Sequence, residues 1–276
     1  MKVAIVTGSS SGIGLATSVL LAKNSFFTYA SMRNLAKSNG INDIAKKQNL
    51  PLRLIQLDVK NDKSVKTAID EVLAEKARID VLVNNAGYGL LGCLEDLSME
   101  EIKAQFETNL FGIIRVTQAV LPTMRKQNRG MIVNISSIAG KIGFPVTPIY
   151  ISTKFALEGM SESMRYELDP FGIKVIIIEP GAVRTDFSNR MAVAKKVSDP
   201  NSPYSQMTQK VAAGLKMLLE HGAPPEDVAK TILKALTSEN PEPRYLVGND
   251  AAMVMEARKN MSDKEFEKFM KEEMIQ

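Results

Sequence analysis

Tyr150 and Lys154 stand four residues apart in a stretch where Phe155, Leu157 and Met160 recur at helical spacing. Side chains so spaced project from one face of a helix. A free tyrosine titrates near ~10 and exchanges a proton poorly at neutral pH, whereas an adjacent ammonium favours the phenolate. The pair is predicted to work as a general acid/base, with the lysine lowering the tyrosine pKa. The rest of the composition narrows the field. His221 is the one histidine and Cys93 the one cysteine among 276 residues. Ser-His-Asp and Cys-His nucleophiles, clustered-His metal sites and Cys-based zinc sites are thereby excluded, and no metal is expected. Acid–base work falls to Tyr, Lys, Asp, Glu or Ser.

A second group of residues handles phosphate. Thr7-Gly8-Ser9-Ser10-Ser11-Gly12-Ile13-Gly14 follows an apolar strand candidate and opens a helical block, Ile13 to Ala22. At a first strand-to-helix turn, glycines permit a sharp bend and let backbone N–H groups approach a pyrophosphate. The helix N-terminus then favours the anion electrostatically.

The elements that must position these residues are visible as alternating apolar blocks. Strand candidates are Lys2 to Val6, Phe27 to Ala30, Leu52 to Leu57, Val81 to Val83, Met131 to Ile135 and Lys174 to Ile178. Most are near-continuous Val/Ile/Leu runs, as strands covered on both faces require. Between them, Ser64 to Glu75 and Met99 to Met124 carry the helical period. Repeated βαβ units of this kind predict an α/β, Rossmann-like doubly wound parallel sheet flanked by helices. Ala182 to Gln206 has no sustained period and reads as a long lid or binding loop. Helices are predicted again at Thr208 to Leu219, Pro225 to Thr237 and Ser262 to Glu273, with a short strand at Arg244 to Val247. One domain over 1–276 is expected, with residues 1–181 as cofactor-binding and catalytic core and 182–276 as lid and C-terminal substrate region.

The TGxxxGxG spacing of the first turn resembles the short-chain dehydrogenase/reductase family. So do Asp58-Val59, Asn84-Asn85-Ala86-Gly87, Asn109, Ser137, Tyr150 with Lys154, and Pro180-Gly181, in that order along the chain. Within that family, Tyr29 to Arg33, Phe155-Ala156-Leu157-Glu158-Gly159 and Asn84 to Gly89 resemble the 17β-hydroxysteroid and retinol dehydrogenase branch. The resemblance implies hydride transfer between a nicotinamide and a carbonyl or alcohol. Tyr150 is then the acid/base and Ser137 a hydrogen-bond donor to the substrate oxygen, with Ser136 as its near competitor. Lys154 holds the ribose, and Asn109 supports a water leading from the lysine to solvent. It further implies cofactor contacts from Gly8, Ser10, Ser11, Gly12, Ile13, Gly14, Arg33, Asp58, Val59, Asn85, Ala86, Gly87, Pro180, Gly181, Val183 and Thr185. A homodimer or homotetramer also follows from the likeness, through Met99 to Met124 and Tyr150 to Leu168.

The end of the second strand bears on the cofactor. An acid there would bind the free ribose hydroxyls, but Ser31 and Met32 occupy the position and Arg33 follows with a guanidinium suited to a 2′-phosphate. NADP is the expected cofactor. Tyr88, Leu90, Leu91, Ile142, Phe144, Pro145 and Val146 flank the chemistry and predict an apolar substrate, with Phe187, Met191 and Val193 above it. Alternatives are a catalytically silent NADP-binding sensor of the same fold and a sugar-nucleotide epimerase or dehydratase. The first is disfavoured by the intact Ser137, Tyr150, Lys154 and Asn109, the second by the turn spacing and chain length. Lys and Arg number 35 against 31 Asp and Glu, spread evenly, so no nucleic-acid footprint is expected. No apolar run approaches the ~20 residues of a membrane span. The opening MKVAIVTG reads as a strand rather than a signal peptide, and with the lone Cys93 it places the protein in the cytoplasm as an expectation.

Overall fold

The computed structural model describes residues 1–199 and 201–274. Its centre is a seven-stranded, wholly parallel sheet. The main strands are β1 (Lys2–Val6), β2 (Phe26–Met32), β3 (Leu52–Gln56), β4 (Val81–Asn84), β6 (Gly130–Ile135), β7 (Ile173–Pro180) and β9 (Arg244–Val247). Their order across the sheet is β3-β2-β1-β4-β6-β7-β9. Val6 of β1 pairs with Ala30 of β2 on one side and Val83 of β4 on the other. The chain thus reverses its direction of travel across the sheet beside β1. A crevice opens at the strand C-termini where that happens.

Both faces of the sheet are covered, which explains the unbroken apolar strands. On one face, α3 (Asp62–Lys76) and α5 (Gly112–Lys126) pack Val65, Ile69, Val72, Val116, Val120 and Met124 against Ile5, Leu82 and Ile132. On the other, α1 (Gly12–Lys23) and α9 (Pro225–Thr237) pack Leu21, Val228, Ile232 and Leu236 against Val6, Val83 and Ile178. Each large aliphatic side chain buried in this way contributes about 1.5–3 kcal/mol, so the two layers carry the fold.

Four differences from the sequence expectations have local causes. Met99 to Met124 is not one helix. It is α4 (Met99–Phe106) and α5, joined by a π-helical turn at Glu107–Phe111. The wider turn falls where Gly112 lies so close to Val59 that an added Cβ would sit 2.8 Å from Cγ2 of that valine. A single inserted π turn lets a helix change phase at such a site. Two polar helices were not anticipated, α2 (Asn39–Lys47) and α10 (Asn249–Asn260). In α10 only Ala251 is buried, so little apolar period marks it. The stretch from Ala182 to Gln206 is not featureless. It forms α7 (Phe187–Arg190), β8 (Ala192–Val193) and a 3-10 turn at Lys195–Ser198, while its Pro200 lies outside the described residues. β8 pairs with β5 (Leu90–Leu91), whose Leu90 is buried with Leu97, Ile149 and Ala194 and whose Leu91 is buried with Cys93, Val146 and Val211. The remaining helices, α6 (Pro148–Leu168), α8 (Ser205–Glu220) and α11 (Asp263–Met274), match the predicted positions within a few residues.

Candidate active site

The glycine turn bridges β1 and α1 and is tied to the turn after β4. The Thr7 hydroxyl accepts the backbone N–H groups of Asn85 (2.9 Å) and Ala86 (3.0 Å). The Asn85 amide donates to the Thr7 and Gly8 carbonyls at 2.8 and 3.2 Å. Gly14 is required by this closeness, because a Cβ there would lie 2.5 Å from Asn85 Nδ2 and would strike the Gly8 carbonyl oxygen. Gly8 itself has φ +71, a conformation that favours glycine. The Ser11 hydroxyl makes no capping bond, and the first-turn N–H groups of α1 have no partner within the helix. Thr185, in the loop after β7, reaches back over the turn, so that a Cβ on Gly12 would lie 3.2 Å from its Cβ and Cγ2.

This turn forms one end of a cleft of about 1040 Å³. Gly8, Ser10, Ser11, Gly12 and Ile13 line it. Asp58 and Val59, Asn85 to Gly87, Pro180, Gly181, Val183 and Thr185 complete that end. Gly14 lies beneath the surface, holding the turn. At the rim, Arg33 is exposed beside Asn34 and Lys37, while Met32 is buried. Asn34 spends its side-chain oxygen on the Ala36 N–H, 2.9 Å away. No acidic residue stands between the end of β2 and Asp43, and the set fits a dinucleotide. The turn offers backbone donors in a cradle that a Cβ would fill, and the rim offers cations.

Ser137, Tyr150 and Lys154 meet on the cleft floor. Ser137 caps a 3-10 turn after β6, accepting the Ala139 N–H at 3.1 Å and donating to the Pro180 carbonyl at 3.3 Å. Tyr150 occupies the first turn of α6, with its ring centroid 6.1 Å from that of Phe187. Its pKa runs opposite to the sequence expectation. Burial pushes it up to about 12, and the neighbouring Ser137 hydroxyl only partly offsets this. The lysine does not act on the phenol as anticipated because its Nζ lies 5.8 Å from the ring centroid and donates to the Ile135 carbonyl at 2.7 Å. Burial lowers Lys154 to about 8, opposed by the charge of Glu158 one turn further along α6.

Asn109 sits in the π turn, fully buried, and clamps the turn after β4. Its Oδ1 accepts the Tyr88 N–H at 3.1 Å, and its Nδ2 donates to the Tyr88 carbonyl at 2.9 Å and to Thr153 Oγ1 at 3.4 Å. Ser136, the competitor of Ser137, makes no side-chain hydrogen bond to the Tyr150 hydroxyl among the described residues. Its hydroxyl is buried without a hydrogen-bond partner. Of the predicted apolar wall, Tyr88, Phe144 and Pro145 line the cleft, together with Phe187 and Met191. Leu90, Leu91, Ile142 and Val146 pack beneath it instead. The opposite wall comes from Val211, Leu215 and Leu218 of α8, Met253 of α10 and Phe269 of α11. Sequence reasoning missed these residues, which are ordinary members of amphipathic helices until the chain folds back. Among the basic residues nearby, Arg190 lines the cleft, whereas Lys141 and Arg184 do not.

Fold and cleft define an α/β dinucleotide-binding protein with a Tyr/Lys pair at the strand ends. The family profile described as short chain dehydrogenase matches residues 2–196. The chain is 39% identical over 258 residues to the uncharacterized oxidoreductase YusZ of Bacillus subtilis (strain 168), covering 92% of this chain and 91% of that one. It is 36% identical to human 17-beta-hydroxysteroid dehydrogenase type 1, covering 88% and 76% of the two chains, and 36% identical to human retinol dehydrogenase 8, covering 87% and 79%. Among solved structures, a short-chain dehydrogenase from Streptomyces avermitilis superposes with a TM-score of 0.84 at 32% identity over 98% of this chain and 97% of that one. An alcohol dehydrogenase from Thermococcus sibiricus, complexed with 5-hydroxy-NADP, gives 0.73 at 25% identity over 90% and 96%. The chain belongs to the short-chain dehydrogenase family and is an oxidoreductase of that family. No helix among the described residues is long and apolar enough to cross a membrane, and no cluster there is suited to a metal ion.

Proposed function

We propose that the protein is an NADP(H)-dependent reductase of lipophilic carbonyl compounds, or the corresponding alcohol dehydrogenase, with Tyr150 as general acid/base. The observation that carries this reading is the convergence of Ser137, Tyr150 and Lys154 on the floor of a cleft whose two ends differ in chemistry. The glycine turn, Asp58, Asn85 to Gly87 and the loop from Pro180 to Thr185 hold the dinucleotide. Arg33, with Lys37 beside it, takes the 2′-phosphate. Bound there, the nicotinamide supplies or accepts the hydride. In reduction, Tyr150 gives its proton to the carbonyl oxygen while Ser137 donates a hydrogen bond to the same atom. Hydride plus proton complete the alcohol, and oxidation reverses both transfers. Lys154 contributes a positive charge and holds the ribose. Asn109 fixes the turn carrying Tyr88, and with it one side of the cleft.

The substrate lies between Phe144, Phe187, Met191, Leu215, Met253 and Phe269, a wall that favours an extended apolar body carrying one carbonyl. The steroid and retinol dehydrogenases among the relatives suit the same substrate class. Within residues 182–276, α7, α8, α10 and α11 supply most of the substrate wall, whereas α9 and β9 belong to the core with residues 1–181. The protein works as a homodimer or homotetramer. Phe111, Phe155 and Tyr166, exposed by 47%, 46% and 77%, support an assembly that covers this side of the π turn and α6. The functional test is cofactor turnover with a graded panel of aldehydes and ketones. Faster NADPH than NADH consumption with long apolar carbonyls supports the reading. NADPH binding without turnover on any carbonyl would favour a silent sensor.

A further inference from the structure

Beneath the catalytic residues lies a second group of buried polar atoms. Glu158 follows Lys154 by one turn of α6 and is 4% exposed, and Glu179 precedes Pro180 on β7 and is 6% exposed. Glu158 Oε1, Glu179 Oε1 and the Ser136 hydroxyl are all buried without a hydrogen-bond partner. Ser136 and Glu158 face one small space. A Cβ on Gly140 would lie 2.8 Å from Ser136 Oγ and 3.2 Å from Glu158 Oε1, so glycine keeps the space open.

A single guanidinium serves the carboxyls. Arg244 of β9 donates from Nε to Glu158 Oε2 at 3.2 Å and from Nη2 to Glu162 Oε2 at 2.9 Å. Glu179 Oε1 lies 3.4 Å from the same Nε, whose one hydrogen is already committed to Glu158. Two adjacent buried carboxylates, sharing one cation with a third, cannot both ionise cheaply, and one proton between them satisfies an oxygen on each. The group touches the catalytic set through the chain itself. Ser136 adjoins Ser137, Glu179 adjoins Pro180, and Glu158 stands one turn from Lys154.

We propose that Glu158 and Glu179 hold one proton between them, and that Glu158 is a positioning residue that keeps the buried Lys154 ammonium charged. The second half rests on the functional reading above, and the first half does not. The charged groups facing the pair are Lys154 and Glu162 on α6, Lys141 after the 3-10 turn, and Arg244 on β9. Burial first, then the Glu158 charge, lifts Glu179 to about 7, while Lys154 lies at about 8. When the pair releases its proton, the extra negative charge favours the ammonium form of Lys154.

Two measurements test this. Infrared difference spectra of the ligand-free protein between pH 6 and pH 8 are expected to show loss of a protonated-carboxyl carbonyl stretch, absent from Glu179→Gln. If the wild type shows no such band, the shared proton is wrong, whatever the enzyme turns over. The pH profile of kcat/KM with NADPH is expected to lose its alkaline side at a pH lower by about half a unit or more in Glu158→Gln. Glu162→Gln, on the solvent side of the same guanidinium, is the control and leaves the profile in place. An unmoved profile in Glu158→Gln, or an equal shift in Glu162→Gln, overturns the positioning role. Absence of turnover in the wild type overturns the functional reading and this role with it, while the infrared band still decides the shared proton.

Discussion

Removing the Tyr150 hydroxyl isolates the one group to which the proposal assigns proton transfer. The ligand-free site places this phenol at about 12. At pH 7 the phenolate therefore costs about 5 pH units, or about 7 kcal/mol at 1.36 kcal/mol per unit. Tyr150 is thus protonated at pH 7, as the proposed donor role in reduction requires. As a base for oxidation it begins from a phenolate population of order 10⁻⁵ in the ligand-free protein. Tyr150→Phe keeps the ring beside Phe187 and removes the proton, so NADPH binding should persist while turnover drops by about 10²–10⁴. The assay is NADPH consumption at saturating carbonyl, with cofactor binding followed by fluorescence. Ultraviolet difference spectra of wild type against variant report the phenol directly. In the ligand-free protein no Tyr150 phenolate should form between pH 7 and pH 9. Either retention of more than about a tenth of the wild-type rate, or a phenolate signal in that range, would refute the reasoning.

Arg33→Ala should raise the KM for NADPH about tenfold or more and scarcely change that for NADH, since charged hydrogen bonds contribute about 1.5–3 kcal/mol. Met32→Asp should shift preference toward NADH by repelling the 2′-phosphate, and an unchanged ratio of specificity constants in both variants would point to Lys37 instead. Glu179, raised from the ordinary 4.5 to about 7, binds its proton more tightly in the folded than in the unfolded chain. Its contribution to stability is therefore full below pH 4.5 and declines as pH rises to about 7. Urea denaturation at pH 5 and pH 8 should show that decline in the wild type and a flatter response in Glu179→Gln. Light scattering at micromolar concentration should give a mass at least twice the 30.3 kDa of one chain, and a monomer mass would reject the assembly.

Local sequence settled what local physics controls. The apolar runs of β1, β4, β6 and β7 and the period of α3 and α9 were readable because burial on a sheet face imposes a pattern on consecutive residues. The glycine turn was readable because close approach of the chain to itself at Gly8, Gly12 and Gly14 excludes side chains at fixed positions. The Tyr150/Lys154 spacing was readable because one helix face carries both. The fold decided what depends on neighbours distant in sequence. Tyr150 titrates upward because the fold withdraws it from water, the Ser137 hydroxyl offsets only part of that cost, and the lysine Nζ stands 5.8 Å from the ring centroid. Asn109 faces Tyr88 because a π turn rotates the helix there. The far wall of the cleft comes from α8, α10 and α11, whose apolar residues show a period but not a destination. Glu158 stood in the sequence as part of Phe155 to Gly159, a stretch notable only for its likeness to relatives. That it lies buried against Glu179 and Arg244, one helical turn from Lys154, follows from the pairing of β7 with β9 and the packing of α6 against them, contacts that no local pattern encodes.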